Sequence, residues 1–162
     1  VDARHAGRQR RRGEGAEVTL QVYAARLSTR DPDRLDITRK SAKGDGLAFA
    51  PSWAILRPAL DARAVHDMTM RNIEGIDTPI AASMREAEAA RWADAWDTYR
   101  AAYVAEMRQR YRHDRRPWDR LLARERVVLM CYCSDAEHCH RRVLGETILP
   151  ALGAVWCGEA GA

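Results

Sequence analysis

A three-layer α/β sandwich, with a mostly parallel sheet of about four to five strands and one long helix, is the fold this sequence predicts. Three observations carry that expectation. Short apolar runs at 18–23, 35–38, 127–133 and 154–157 have the length and composition of strands. Helical patterns separate most of these runs, and crossover helices between apolar strands favour parallel pairing. Between the second and third runs, Trp92, Trp96, Tyr99, Tyr103, Met107 and Tyr111 recur at intervals of three or four, which is one stripe of a helix.

The elements follow in order. Residues 1–16 are rich in arginine and read as a disordered basic arm ahead of a single domain over 17–160. Val18 to Tyr23 alternates and forms the first strand. Asp31, Pro32 and Asp33 make a turn, and Leu35 to Thr38 is a short second strand running into Arg39 and Lys40. Gly44, Asp45, Gly46 and Pro51 mark 41–51 as a loop. Ser52 then caps a helix whose apolar face is Ile55, Leu56, Ala59 and Leu60. The segment 64–82, with Val65, Met68, Met70 and Ile73, fits a strand or a helix equally. Beyond Thr78 and Pro79 the aromatic stripe defines a helix over 81–112. Pro117 and Trp118 open a short helical turn containing Leu121 and Leu122, and the strand 127–133 follows. Ser134 and Glu137 have capping-box spacing, so a helix is expected to start there, with Val143, Leu144, Ile148 and Leu152 as its apolar face. Gly153 ends it, and 154–157 is the last strand.

Composition narrows the function classes. The 162 residues, 46% hydrophobic and 31% charged, suit one globular domain. No run approaches the ~20 apolar residues of a membrane span. No apolar segment stands behind the first arginines, so a cytoplasmic protein with no membrane partner is expected. The net charge of +4 is accounted for by residues 1–13 alone, which hold five arginines against Asp2. A second basic patch, Arg108 to Arg126, carries eight arginines against Asp114, Asp119 and Glu125. Only two of the 27 basic residues are lysine, a bias of GC-rich bacterial or phage genomes that speaks of codons rather than function. The cysteines at 131, 133, 139 and 157 suggest no disulfide framework. Neither glycine-rich phosphate loop is present, nor H-E-x-x-H, G-x-S-x-G, Cys-x-x-Cys or Cys-x₅-Arg.

The chemistry concentrates between Arg126 and Arg142. There an apolar strand breaks into three cysteines, two histidines and two arginines ahead of a helix. Ligands of open parallel sheets sit at the carboxyl ends of the strands. His140 and Arg141, near a helix start, suit an anion. Arg39 and Lys40 would face the same crevice if the second strand is parallel and adjacent to the third. Cys139, beside a histidine and arginines at a helix N-terminus, is the candidate nucleophile. Tyr99 or Tyr103 would stack on the ligand or hydrogen-bond to it. Cys131, Cys133, Cys139 and His140 also offer four zinc ligands. A metal is nonetheless not expected, because Cys139 and His140 would point apart if both were helical.

An apolar strand, Cys131, and then Cys139, His140 and Arg141 at a helix start resemble the family called domain of unknown function 488. Leu35 to Arg39 is similar to that family's strand ending in an arginine. Ala50, Pro51 and Ser52 resemble the Ala-Pro-Ser element of one branch, and Tyr99, Tyr103 and Met107 its tyrosine-rich helix. The resemblance covers most of 17–160 and implies a compact α/β sandwich with its site at these strand ends. It implies no particular reaction, and a nucleotide-derived ligand enters as fold-level analogy. Family members often carry an acidic residue two places after the strand cysteine. Cys133 stands there in this chain, which removes a possible general base and favours a metal.

The expectation is therefore a chain that binds or processes an anionic, nucleotide-like ligand. Arg39, Lys40, Tyr99, Tyr103, Cys131, Cys133, His140 and Arg141 would contact it, with Cys139 as nucleophile and no cofactor. One alternative is a nucleic-acid-associated module using Arg108 to Arg126. Another is a zinc-stabilised interaction domain built on Cys131, Cys133, Cys139 and His140.

Overall fold

A computed structural model describes residues 19–160, so the expected basic arm and Val18 lie outside the described residues. Four strands, β1 (Gln21–Arg26), β2 (Arg34–Asp36), β3 (Arg126–Cys131) and β4 (Val155–Glu159), form one sheet in the order β2-β3-β1-β4. Every pairing is parallel, so all four carboxyl ends open on one edge. β3 lies between β1 and β2, and Val127 through Met130 are fully buried. Such a run, apolar at consecutive positions, is what burial on both faces demands.

Helices α1 (Gly46–Phe49), α2 (Trp53–Asn72), α3 (Pro79–His113), α4 (Arg116–Leu122) and α5 (His140–Arg142) complete the fold. α5 continues through a π-helical turn, Val143–Ile148, and closes in a 3₁₀ turn, Pro150–Leu152. Gly153 then takes φ +97°, the left-handed conformation that glycine adopts without steric cost. The fold is thus α/β with an all-parallel sheet and one helix of 35 residues.

One face of the sheet carries the main core. Val22, Val127 and Leu129 meet Tyr99, Tyr103 and Met107 of α3, Trp118 of α4, and Leu144 and Leu149 from the α5 segment. Phe49 of α1 packs edge-on against Trp118 at 4.8 Å. The other face has a smaller cluster, Ala25, Val128 and Met130, flanked by Tyr23, Leu27 and Ala160. Gly145 permits the close approach of the α5 segment to β4, since a Cβ there would lie 2.4 Å from the Trp156 ring. Gly46 is equally constrained, because its Cβ would fall 2.0 Å from the Asp36 carbonyl.

Several boundaries differ from expectation for physical reasons. β1 begins three residues late and runs on through Ala24 and Ala25, which burial between β3 and β4 holds in the ladder. β2 ends at Asp36, because Thr38 leaves the ladder and its N–H turns to Asp36 Oδ1 at 2.8 Å. The undecided 64–82 segment is the end of α2, a turn and the start of α3. Ser52 sits at the N-cap of α2 but makes no side-chain cap, and its N–H donates to Glu106 Oε2 instead. Thr78 does cap α3, accepting from Ala81 N at 3.2 Å. The Ser134–Glu137 capping box does not form. Asp135 Oδ1 accepts from the N–H groups of Glu137 and His138, and the helix begins five residues later at His140. β4 extends to Glu159 with a bulge where Cys157 is passed over and Gly158 takes φ +95°. No described helix is long and apolar enough to cross a membrane.

Candidate functional site

The carboxyl ends of β2, β3 and β4 converge on one buried cluster. β3 ends at Cys131, and its next residue on the same side is Cys133, because alternate residues of an extended chain share a face. Their sulfurs are 3.5 Å apart, with Cys131 donating. Cys139 precedes α5 and is extended, with φ −135° and ψ 138°, whereas His140 is the first helical residue. That change of backbone places Cys139 among the sulfurs and sets His140 Nδ1 beside Cys131. All three sulfurs lie within 4.8 Å of one another. His140 Nδ1 is 3.9 Å from Cys131 Sγ, while Nε2 faces the Ile37 carbonyl at 2.9 Å, just past β2. A carbonyl only accepts, so Nε2 carries the proton and Nδ1 presents a lone pair toward Cys131 Sγ.

Arg141 is 1% exposed, extreme for a guanidinium. Its Nη1 donates to the Cys133 carbonyl at 2.9 Å, and its other nitrogens lie 3.4 Å from the Glu159 carboxylate at the end of β4. The cluster shifts the acidity of its members. Cys131 is pushed up to about 11 because its proton is held by Cys133, which is correspondingly driven far below the usual thiol range. Cys139 is raised by its contacts with the other two sulfurs and by burial. Burial lowers His140, keeping the imidazole neutral.

Above the sulfurs is a small chamber of about 60 Å³, floored by Cys133, Cys139 and His140 and walled by Trp92, Trp96, Tyr99 and His138. The His138 ring lies 5.4 Å from Trp92 and 5.3 Å from Trp96, held there by a 2.7 Å contact with Asp135. Arg63 of α2 places its guanidinium 5.5 Å over Trp92 and 3.4 Å from the same Asp135 carboxylate. Behind Trp92, His66 stacks at 5.6 Å and faces the buried Glu88 at 3.5 Å. Arg63, Asp135 and His138 were not singled out from the sequence. Asp135 and His138 meet within the loop between β3 and α5, and only the packing of α2 against that loop brings Arg63 to them.

The residues expected at the ligand are distributed unevenly. Cys133, Cys139, His140 and Tyr99 line the chamber, and Cys131 lies beneath it. Tyr99 Oη is buried and has no hydrogen-bond partner among the described residues. Tyr103 is fully buried, donates to the Phe49 carbonyl at 2.7 Å, and packs its ring against His140. Burial raises the phenol of both tyrosines. β2 is parallel and adjacent to β3, which sets Arg39 and Lys40 beside this edge of the sheet. Neither lines the chamber; Lys40 is exposed, and Arg39 Nε is buried without a hydrogen-bond partner among the described residues. A larger cavity, about 340 Å³, lies between α3 and the α5 segment and is lined by Met107, Tyr111, Trp118 and Ile148. It is remote from the cysteines.

Of the eight arginines from Arg108 to Arg126, five are engaged within the chain. Arg110 donates to the carbonyls of Leu47, Ala48 and Ala50 and pairs with Glu106. Arg115 pairs with Asp119, Arg116 with Asp114, Arg120 with Asp45, and Arg126 with Asp31 and Asp33.

The fold is that of an all-parallel α/β protein whose strand ends enclose cysteines, a neutral histidine and a buried arginine at the carboxyl edge of the sheet. The chain belongs to the domain of unknown function 488 family: the family model described as the active DUF488-N3 subclade matches residues 3–151. Comparison with curated proteins and with solved structures finds no match.

Proposed function

We propose that this chain binds a planar, anionic ligand of nucleotide type, with one end of the ligand directed at the floor of the chamber. The observation that carries this reading is the chamber itself, in which Trp92, Trp96, Tyr99 and His138 wall a floor of Cys133, Cys139 and His140. Aromatic faces take a nucleobase by stacking, worth ~1–3 kcal/mol per base. Arg63 on the rim supplies a cation for a phosphate, which would compete with Asp135 for the guanidinium.

At about 60 Å³ the chamber admits one functional group and no whole base. Binding therefore requires the segment between β3 and α5, which carries His138, to swing away from Trp92 and Trp96. That motion would change tryptophan emission. Titrating the full chain with AMP is expected to give a saturable change, weaker with adenosine and weakest with ribose 5-phosphate. Trp96→Ala is expected to abolish tight binding. If none of the four common nucleotides changes the emission at millimolar concentration, this reading is wrong. The nucleic-acid alternative is less favoured, because most of the Arg108 to Arg126 patch is already paired within the chain.

A further inference from the structure

We propose that Cys131, Cys133, Cys139 and His140 together hold one zinc ion. The inference rests on the geometry of these four side chains and is independent of what occupies the chamber above them.

Distances come first. A Zn–S bond of ~2.3 Å places two tetrahedral ligand atoms about 3.8 Å apart. The three sulfurs lie within 4.8 Å of one another, with Cys131 and Cys133 at 3.5 Å. The three sulfurs need only small adjustments to surround one ion. His140 Nδ1, 3.9 Å from Cys131 Sγ, stands beside them and would move in as the fourth ligand.

The tautomer of His140 is the second observation. Its Nε2–H donates to the Ile37 carbonyl at 2.9 Å, which leaves the Nδ1 lone pair directed toward Cys131 Sγ. Metal-bound histidines characteristically anchor the remote ring N–H on a carbonyl or carboxylate, fixing both ring orientation and tautomer.

Charge and softness supply the third. Three thiolates around a divalent ion leave a net charge of −1. Arg141, buried and fastened to the Cys133 carbonyl, stands beside the cluster to balance it. No carboxylate belongs to the set, so hard cations such as magnesium or calcium find no suitable ligands, whereas thiolate and imidazole suit zinc. Binding forms three Zn–S bonds and one Zn–N bond and releases to solvent whatever thiol protons the three cysteines still hold; nothing is oxidised or reduced.

With four protein ligands the site is closed, and its role is to hold structure in place. The ion would clamp the end of β3 to the start of α5 and so close the loop that carries Asp135 and His138. That assigns the cysteines a positioning role beneath the chamber rather than a nucleophilic one.

The test uses the full chain, purified with reductant and without chelator or added metal. Elemental analysis is expected to find one zinc per chain. Replacement by cobalt(II) is expected to give the intense visible bands of a tetrahedral site and a near-ultraviolet thiolate charge-transfer band. Cys133→Ser, at the half-buried and most tolerant cluster position, should lose the metal, while Cys157→Ser, on the exposed bulge of β4, should keep it. His140→Ala should keep cobalt more weakly and shift its visible bands. Reduced wild-type chain that takes up neither zinc nor cobalt would overturn the proposal. So would stoichiometric iron in place of zinc, or a Cys133–Cys139 disulfide persisting under reductant. Because no nucleotide enters this experiment, its failure leaves the ligand reading standing, and a silent nucleotide titration leaves the zinc site standing.

Discussion

The two ends of β3 handle polar groups in opposite ways. At the amino end Arg126 reaches Asp31 at 2.9 Å and Asp33 at 2.8 Å, in contact with solvent and over the Tyr23 ring at 4.8 Å. Each charge there has a partner, and water screens what is left. At the carboxyl end, five residues along, Cys131, Cys139, His140 and Arg141 are almost wholly buried, and the nearest carboxylate, Glu159, stands at 3.4 Å. Burying such groups costs free energy unless they are paired or hold a ligand. At the amino end the polar groups are paired at the surface, whereas at the carboxyl end they are paired in the interior, and there we place the proposed site. Loss of a partner costs more in the interior than at the surface.

Perturbations of the carboxyl end should therefore dominate. The largest expected effect is that of a strong zinc chelator on the full chain. If free zinc had stood at ~1,000 times Kd, its removal takes away about 4 kcal/mol, which thermal melts with and without chelator would measure. No change in melting temperature would place the cysteines among ordinary core residues. Next is Arg141→Met, which keeps the aliphatic stem but removes the buried charge. A loss of about 2–4 kcal/mol in urea unfolding is expected, since the Cys133 carbonyl and the cluster charge are left uncompensated. A cost near zero would show that Arg141 is dispensable to the cluster.

The two stacked tyrosines sharpen the contrast within one helix. Tyr103→Phe removes a hydrogen bond to the buried Phe49 carbonyl and should cost about 1–2 kcal/mol. Tyr99→Phe removes a hydroxyl with no partner among the described residues and should be neutral or slightly stabilising. If Tyr99→Phe leaves stability alone yet weakens nucleotide binding, that hydroxyl belongs to the ligand. Equal destabilisation by both would contradict the division.

The smallest effect is expected at the amino end. The Arg126 guanidinium holds the Asp31 carboxyl below its ordinary range. A carboxyl lowered on folding adds stability above its unfolded pKa of about 3.9, and that stability is lost as pH falls through the folded value. Arg126→Ala should thus produce only a small shift in melting temperature at neutral pH, fading below about pH 4 and in high salt. A shift as large as that of Arg141→Met would remove the distinction between the two ends.

Much of this was readable in the residues, and the failures have physical causes. β3 was legible because burial on both faces demands consecutive apolar positions, and α3 because its aromatic stripe faces one core. The latter part of α2 was not legible, since α2 contains no fully buried residue and so shows no sharp apolar periodicity. The start of α5 was misplaced because Ser134 and Glu137 match a capping box by spacing, while Asp135 captures the N–H groups and keeps the loop going. That Cys131, Cys133 and Cys139 lie near one another was legible from their spacing at a strand end. The compactness of the cluster was not, because that depends on Cys139 being extended while its neighbour is helical. Arg63 meets Asp135 and His138 only through tertiary packing, which no local pattern reports.

The zinc K-edge absorption spectrum of the full chain, purified without chelator, tests the central claim most directly. Zinc held by the cluster predicts one ion per chain, with three sulfur neighbours at ~2.3 Å and one nitrogen at ~2.0 Å. An absent zinc edge in reduced protein, or a shell dominated by oxygen, would contradict it.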